Sequence, residues 1–283
     1  MRNETGMKTL DVITIGRAGV DLYGAQIGGR LEDMGSFRKY IGGSQTNIAC
    51  GTARLGLKSA LITRVGDEHM GRFIREELVR EGVDVRGVKT DPERLTALVI
   101  LGIRDEEQFP LIFYRENCAD MALCEEDIEE GFIAEARSVL ATGTHLSHPR
   151  TEAAVGFRAY GWSPYSNWSS CREAIASGWE RRRSSPDSIW VRSSSTGGST
   201  DTLAALKAAR AVTAATLGCK RGAKGAVAFE GAIPESLDEG QAGPGFPIEV
   251  FNVLGAGDGF FSGLMKGWLD GETWPRALEY ANA

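Results

Sequence analysis

The chain predicts an α/β fold with a mainly parallel central sheet flanked by helices and a small β lid. Three observations predict it. Apolar strand-like runs alternate with amphipathic helical patterns from the N-terminus onward. Two β-rich runs joined by a polar link interrupt that rhythm once. Near the C-terminus, a turn of small residues opens an apolar helical pattern. The length of 283 residues suits one large domain of this class.

The elements follow in order. Residues 10–16 (LDVITIG) read as a buried strand entering a turn. Residues 47–57 carry apolar and small side chains at helical spacing, with Gly56 as the stop. Residues 59–66 (SALITRVG) read as a second buried strand. Asp67 is the expected N-cap of a helix with Met70, Phe73, Ile74 and Leu78 on one face. Residues 95–103 and 109–115, joined by 104–108, form the hairpin signal of the lid. Core-strand text returns at 138–143. A helix is expected over 201–210, and strands near 212–217 and 225–229. In the last long helix, Phe260, Phe261, Leu264, Met265, Trp268 and Leu269 share one face. The helical text runs on to Ala281-Asn282-Ala283.

One span, 156–199, departs from the pattern. It holds four of the six tryptophans, is dense in Ser and Arg, has no Lys, and repeats no strand or helix cleanly. Its length without periodicity counts against ordinary core structure there. It reads either as a disordered insertion or as a corrupted, out-of-frame segment replacing core elements; its tryptophans weigh against simple disorder.

Composition narrows function. Hydrophobic residues make up 42% and charged residues 25%, a globular balance. A net charge of -6 argues against a non-specific nucleic-acid binder. The five cysteines form no CxxC pair, and the three histidines lack zinc-ligand spacing. With no signal peptide and no apolar run of membrane length, the expectation is a cytoplasmic protein with no membrane partner.

The richest chemistry lies at Gly255-Ala256-Gly257-Asp258. A small-residue turn at a helix start leaves backbone N–H groups unpaired, at the positive end of the helix dipole. That is an anion site suited to phosphate. A carboxylate beside it repels phosphate unless it has a task, and the natural task is to take a proton from an attacking hydroxyl. Gly42-Gly43-Ser44-Gln45-Thr46-Asn47 allows close backbone approach, and Asn47 offers both donor and acceptor to sugar hydroxyls; a plain loop with a helix cap fits the same letters. Asp21, after Gly16-Arg17-Ala18-Gly19-Val20, reads equally as a ligand for vicinal hydroxyls or as a solvated turn residue. Lys220-Arg221-Gly222-Ala223-Lys224-Gly225 is a basic turn, either along a nucleotide or a simple hairpin, and it is not a Walker A sequence. Arg115 ends the second lid strand. There it either reaches a substrate carboxylate or lies on the surface.

Together, Gly42-Gly43 with Asn47 and the run 252–258 (NVLGAGD) resemble the ribokinase-like sugar kinases, the pfkB family. The wider text at 11–23, 66–71 and 113–120 is similar to members of that family acting on sugar acids. The resemblance covers roughly residues 9–155 and 198–283. It implies a ribokinase-like three-layer fold over 9–283 with lid strands near 21–42 and 95–115, and ATP-dependent phosphorylation of a primary hydroxyl on a sugar acid. It implies Asp258 as general base and the amides of Gly255, Ala256 and Gly257 as anion hole. Asp21, Gly42, Gly43 and Asn47 would hold the sugar, with Arg115 at its acid end. Lys220, Gly222 and Gly225 would lie along the nucleotide. Magnesium would bridge the phosphates, with ligands the sequence does not name. A homodimer through the lid follows by the same analogy. Two further core strands, an acidic strand-end motif and an Asn/Thr-x-x-Glu element of the family are not legible in the span 156–199. A non-catalytic binding remnant, or a kinase of a related sugar, stands beside the leading reading.

Overall fold

The computed structural model describes residues 8–105, 108–142, 150–151, 154, 188–192, 202–211, 214–249 and 253–283. Strands β1 (Leu10–Ile15), β4 (Ser59–Gly66), β5 (Val88–Asp91) and β8 (Ala136–Ala141) form an all-parallel sheet in the order β5-β4-β1-β8. Period-two alternation sorts its side chains. Val12 and Leu140 face one side, whereas Ile13, Ile15, Ala60 and Ile62 face the other. Burial on both faces is why these strands read as near-continuous apolar runs.

A second sheet, β12-β11-β10-β9, contains β9 (Ser188–Arg192), β10 (Thr216–Lys220), β11 (Ala226–Phe229) and β12 (Gln241–Gly243). β9 and β10 run parallel, and β11 and β12 add antiparallel edges. Helix α5 (Ala256–Leu269) joins the two sheets. Its Phe260, Phe261, Leu264 and Met265 pack in one cluster with Val12, Ile48 and Leu140 and with Ala226 and Ala228. Helix α1 (Ser44–Arg54), helix α2 (His69–Arg80) and helix α6 (Trp274–Asn282) lie on that same side. Helix α3 (Glu130–Ala134) and helix α4 (Thr202–Arg210) cover the opposite faces, through Phe132 and Leu206. The result is helix, sheet, helix in three layers.

A third sheet stands apart from the central strands. Its order is β3-β2-β6-β7, from β2 (Gly19–Gly24), β3 (Phe37–Gly42), β6 (Ala97–Leu101) and β7 (Leu111–Tyr114). It joins the hairpin strands to β2 and β3, which fall in the stretch near 21–42 also expected in the lid, and β3 leads through Gly43 into α1.

Four expectations are corrected. Asp21 is no turn residue: it sits inside β2, opposite Tyr40 of β3 and Val99 of β6. The cap of α2 is Glu68, not Asp67: the helix starts at His69, and the Glu68 carboxylate accepts from the amides of Met70 (2.6 Å) and Gly71 (3.1 Å). The strand expected near 212–217 lies at Thr216–Lys220, where the chain pairs with β9 residue by residue from Ser188 to Arg192. That pairing also corrects the reading of 156–199 as lacking any strand. The apolar triplet Ile189-Trp190-Val191 suits a strand, but it is too short to show a period in sequence. The rest of that span lies outside the described residues, as do Phe251 and Asn252.

Candidate active site

Two helix starts converge beside the lid. Helix α1 begins after Gly43 and helix α5 after Gly255; neither has a side-chain cap. Both glycines hold positive φ, +98° at Gly43 and +81° at Gly255, where a Cβ is costly. At Gly43 a Cβ would also stand 2.5 Å from the carbonyl oxygen of Arg17. The helices cross closely because Gly51 of α1 leaves room for the hydroxyl of Ser262 on α5. Ser262 in turn donates to the backbone oxygen of Asp258 (2.9 Å).

This crossing aims the Asp258 carboxylate at the start of α1. Ser44 Oγ donates to Oδ1, and Asn47 Nδ2 donates to Oδ2 at 2.8 Å. A carboxylate has about four lone-pair sites. Two are taken, and one on each oxygen remains for a ligand. Burial pushes the Asp258 carboxyl above its ordinary value, against the lowering pull of Ser44, Asn47, Lys220 and Arg17. Burial also raises Asp21, with Arg17 opposing and Asp258 adding to the rise. Both shifts are what a partly desolvated pair of carboxylates should show. A raised pKa suits a group that must accept a proton near neutrality.

The turn before α5 keeps donors available. Among the described residues, the amides of Gly255 and Gly257 donate to no acceptor, whereas Ala256 donates to Val253 O at 3.3 Å. Lys220, at the end of β10, brings Nζ to the same turn: a Cβ on Gly257 would lie 3.1 Å from it. Its ammonium also sits over the rings of Phe260 (5.1 Å) and Phe261 (4.7 Å). Gly222 and Gly225 form the tight turn between β10 and β11, where Gly225 (φ +78°) packs against Gly243 of β12.

A cleft of about 1430 Å³ runs between the lid and the helix starts, lined by Arg17, Asp21, Gly43, Asn47, Gly255 and Asp258 among others. Gly42 lies directly behind Asp21, in space its own Cβ would take from the carboxylate. Arg115 is not at the cleft wall. Its Nε and Nη2 grip the fully buried Asp120 at 2.9 and 2.7 Å. Sequence reasoning passed over Ser44, although it stands inside the quoted run 42–47, and Arg17, although it stands inside 16–21. Among the described residues, no group of three His, Cys, Asp or Glu side chains could hold a metal ion. No described helix is long and apolar enough to cross a membrane.

The layers define an α/β architecture with helices on both faces of a mainly parallel sheet. A putative ribokinase II of E. coli shares it, at a TM-score of 0.76 and 20% identity over 96% of this chain and 90% of that one. The pfkB family carbohydrate kinase model matches residues 9–156 and 188–283, and the chain belongs to that family of sugar kinases. A 5-dehydro-2-deoxygluconokinase of Geobacillus thermodenitrificans is 31% identical, covering 98% of this chain and 86% of its own. The crystal structure of a PfkB protein from Polaromonas matches at a TM-score of 0.71 and 26% identity, over 96% and 93% of the two chains.

Proposed function

We propose that the protein transfers the γ-phosphoryl group of ATP to the primary hydroxyl of a sugar acid. The substrate proposed is 5-dehydro-2-deoxy-D-gluconate, giving its 6-phosphate in myo-inositol breakdown within the cytoplasm. The observation that carries the reaction is the Asp258 carboxylate, fixed by Ser44 and Asn47 at the joint of two uncapped helix starts. The near full-length relatives carrying that substrate's kinase name support the substrate.

In this reading the hydroxyl enters between Asp21 and Asp258 and gives its proton to a free lone pair of Asp258. Ser44 and Asn47 hold the carboxylate plane while that happens. The amides of Gly255 and Gly257, with Lys220 beside them, meet the charge on the transferring phosphoryl. Alignment of two bound reactants supplies much of the remaining acceleration. Gly42 and Gly43 set the sugar floor, and Gly222 and Gly225 shape the nucleotide side. Magnesium would arrive on the nucleotide phosphates and neutralise them when bound. A dimer through the lid is supported by β7, an edge strand whose Leu111, Ile112, Phe113 and Tyr114 are all exposed.

A coupled ADP-release assay with 5-dehydro-2-deoxy-D-gluconate tests the reading. Turnover that favours this acid over 2-keto-3-deoxygluconate, fructose and ribose is expected. Preference for one of those sugars would move the substrate. Binding without turnover would leave a non-catalytic remnant.

A further inference from the structure

The cleft holds a cation, Arg17, that forms no ion pair among the described residues. Arg17 follows β1, and its backbone is pinned from both sides by α1. Its amide donates to Gln45 Oε1 at 2.9 Å, and its carbonyl accepts from Thr46 Oγ1 at 3.0 Å. Its guanidinium lies over the ring of Phe113 on lid strand β7, 5.1 Å from the centroid. Its Nε is buried without a hydrogen-bond partner, and no carboxylate among the described residues pairs with it. The contrast is Arg115 nearby, whose charge is met by Asp120.

A half-buried guanidinium with a solvent-excluded donor is costly unless an anion completes it. Burial, and then the positive charge of Arg115, work against its charged form; Asp120, Asp21 and Asp258 help it only from a distance. The fork is also geometrically ready. The backbone is fixed at both ends, and one guanidinium face rests on an aromatic ring, so little freedom is lost when a planar anion binds. Position selects the anion. Arg17 lies on the sugar side, with Asp21 and the lid, whereas the phosphoryl turn at Gly255–Gly257 has Lys220 beside it.

The geometry points to Arg17 as the residue that takes the carboxylate of the substrate, and so as the determinant of acid over neutral sugars. This rests on the kinase reading above. It assigns the acid end to Arg17 in place of Arg115, which keeps a structural role with Asp120.

The test uses the full chain, with 5-dehydro-2-deoxy-D-gluconate and its C1 carboxamide as paired substrates. Wild type should prefer the acid by about 10²-fold in kcat/KM, the scale of a charge-assisted pair. Arg17→Gln should remove that preference, raising KM for the acid far more than KM for the amide. Arg17→Lys should keep part of it, because a point charge replaces the fork. An equal rate on acid and amide by wild type would overturn the inference without any variant. So would a preference retained in Arg17→Gln, or a loss that falls on KM for ATP, which would identify the phosphoryl group as the anion. If wild type turns over neither compound, calorimetric binding separates the two ideas. Acid binding that Arg17→Gln abolishes supports Arg17 while refuting the kinase. Binding of neither compound refutes both.

Discussion

Helices α1 and α5 start at glycines without a side-chain cap, whereas α2 starts at Glu68, whose carboxylate closes its first turn. All three pack on the same face of the sheet. They differ in what their first amides are for. At α2 the protein supplies its own anion, and Glu68 also accepts from Thr96 N, tying the helix to the lid-side chain. At α1 and α5 the protein withholds the anion and places Asp258 between them. An uncapped helix start is unfavourable alone. In the kinase reading, the two that meet at one carboxylate are completed by the ligand.

The largest break of this contrast is Asp258→Asn. Proton acceptance is lost while shape is kept, so kcat/KM should fall by about 10²–10⁴-fold. The melting temperature should not fall, because the buried charge disappears with the base. A variant retaining more than a tenth of wild-type turnover would remove Asp258 from the base role.

The next effect separates the two glycine caps. Gly43→Ala meets both an unfavourable φ and the Arg17 carbonyl, so urea unfolding should show a loss of roughly 2–3 kcal/mol. Gly255→Ala meets only the φ, with nothing within 4 Å of the added carbon, and should lose about 1 kcal/mol. Equal losses would mean that the Arg17 contact yields freely.

Legibility followed the same division. The turn at 255–258 stood out because it is contiguous: small residues, a carboxylate and an apolar helix in one run. Gly43 and Asn47 were legible for the same reason. Arg17 and Ser44 were not, because their meaning depends on partners far along the chain, Phe113 for one and Asp258 for the other. The parallel strands announced themselves through burial on both faces. β9 did not, since five residues with polar ends carry too little period, and only its ladder with β10 defines it. Asp67 and Glu68 are adjacent acids, and only the helix start at His69 shows which one caps α2.

The smallest expected effect tests the closed helix. Glu68→Ala removes a side-chain N-cap and should cost about 1 kcal/mol of stability, with kcat unchanged. Its pH dependence gives the sharper reading. Burial pushes the Glu68 carboxyl up, but the bonds from Thr96, Met70 and Gly71 outweigh it and hold it below its ordinary value. A carboxyl lowered in the folded state stabilises above its unfolded pKa, near 4.3, and loses that contribution as pH falls through the folded value. Asp258 has the opposite sign. Its folded pKa is raised, so its ionised form costs stability at neutral pH, and the cost vanishes at acid pH. Melting curves from pH 7 down to 3 should therefore show the Glu68→Ala deficit shrinking on acidification. The same series should show the Asp258→Asn advantage shrinking with it. A Glu68→Ala deficit that is flat with pH would mean that the carboxylate charge contributes nothing to capping α2. The difference between closed and open helix starts would then be one of shape, without electrostatics.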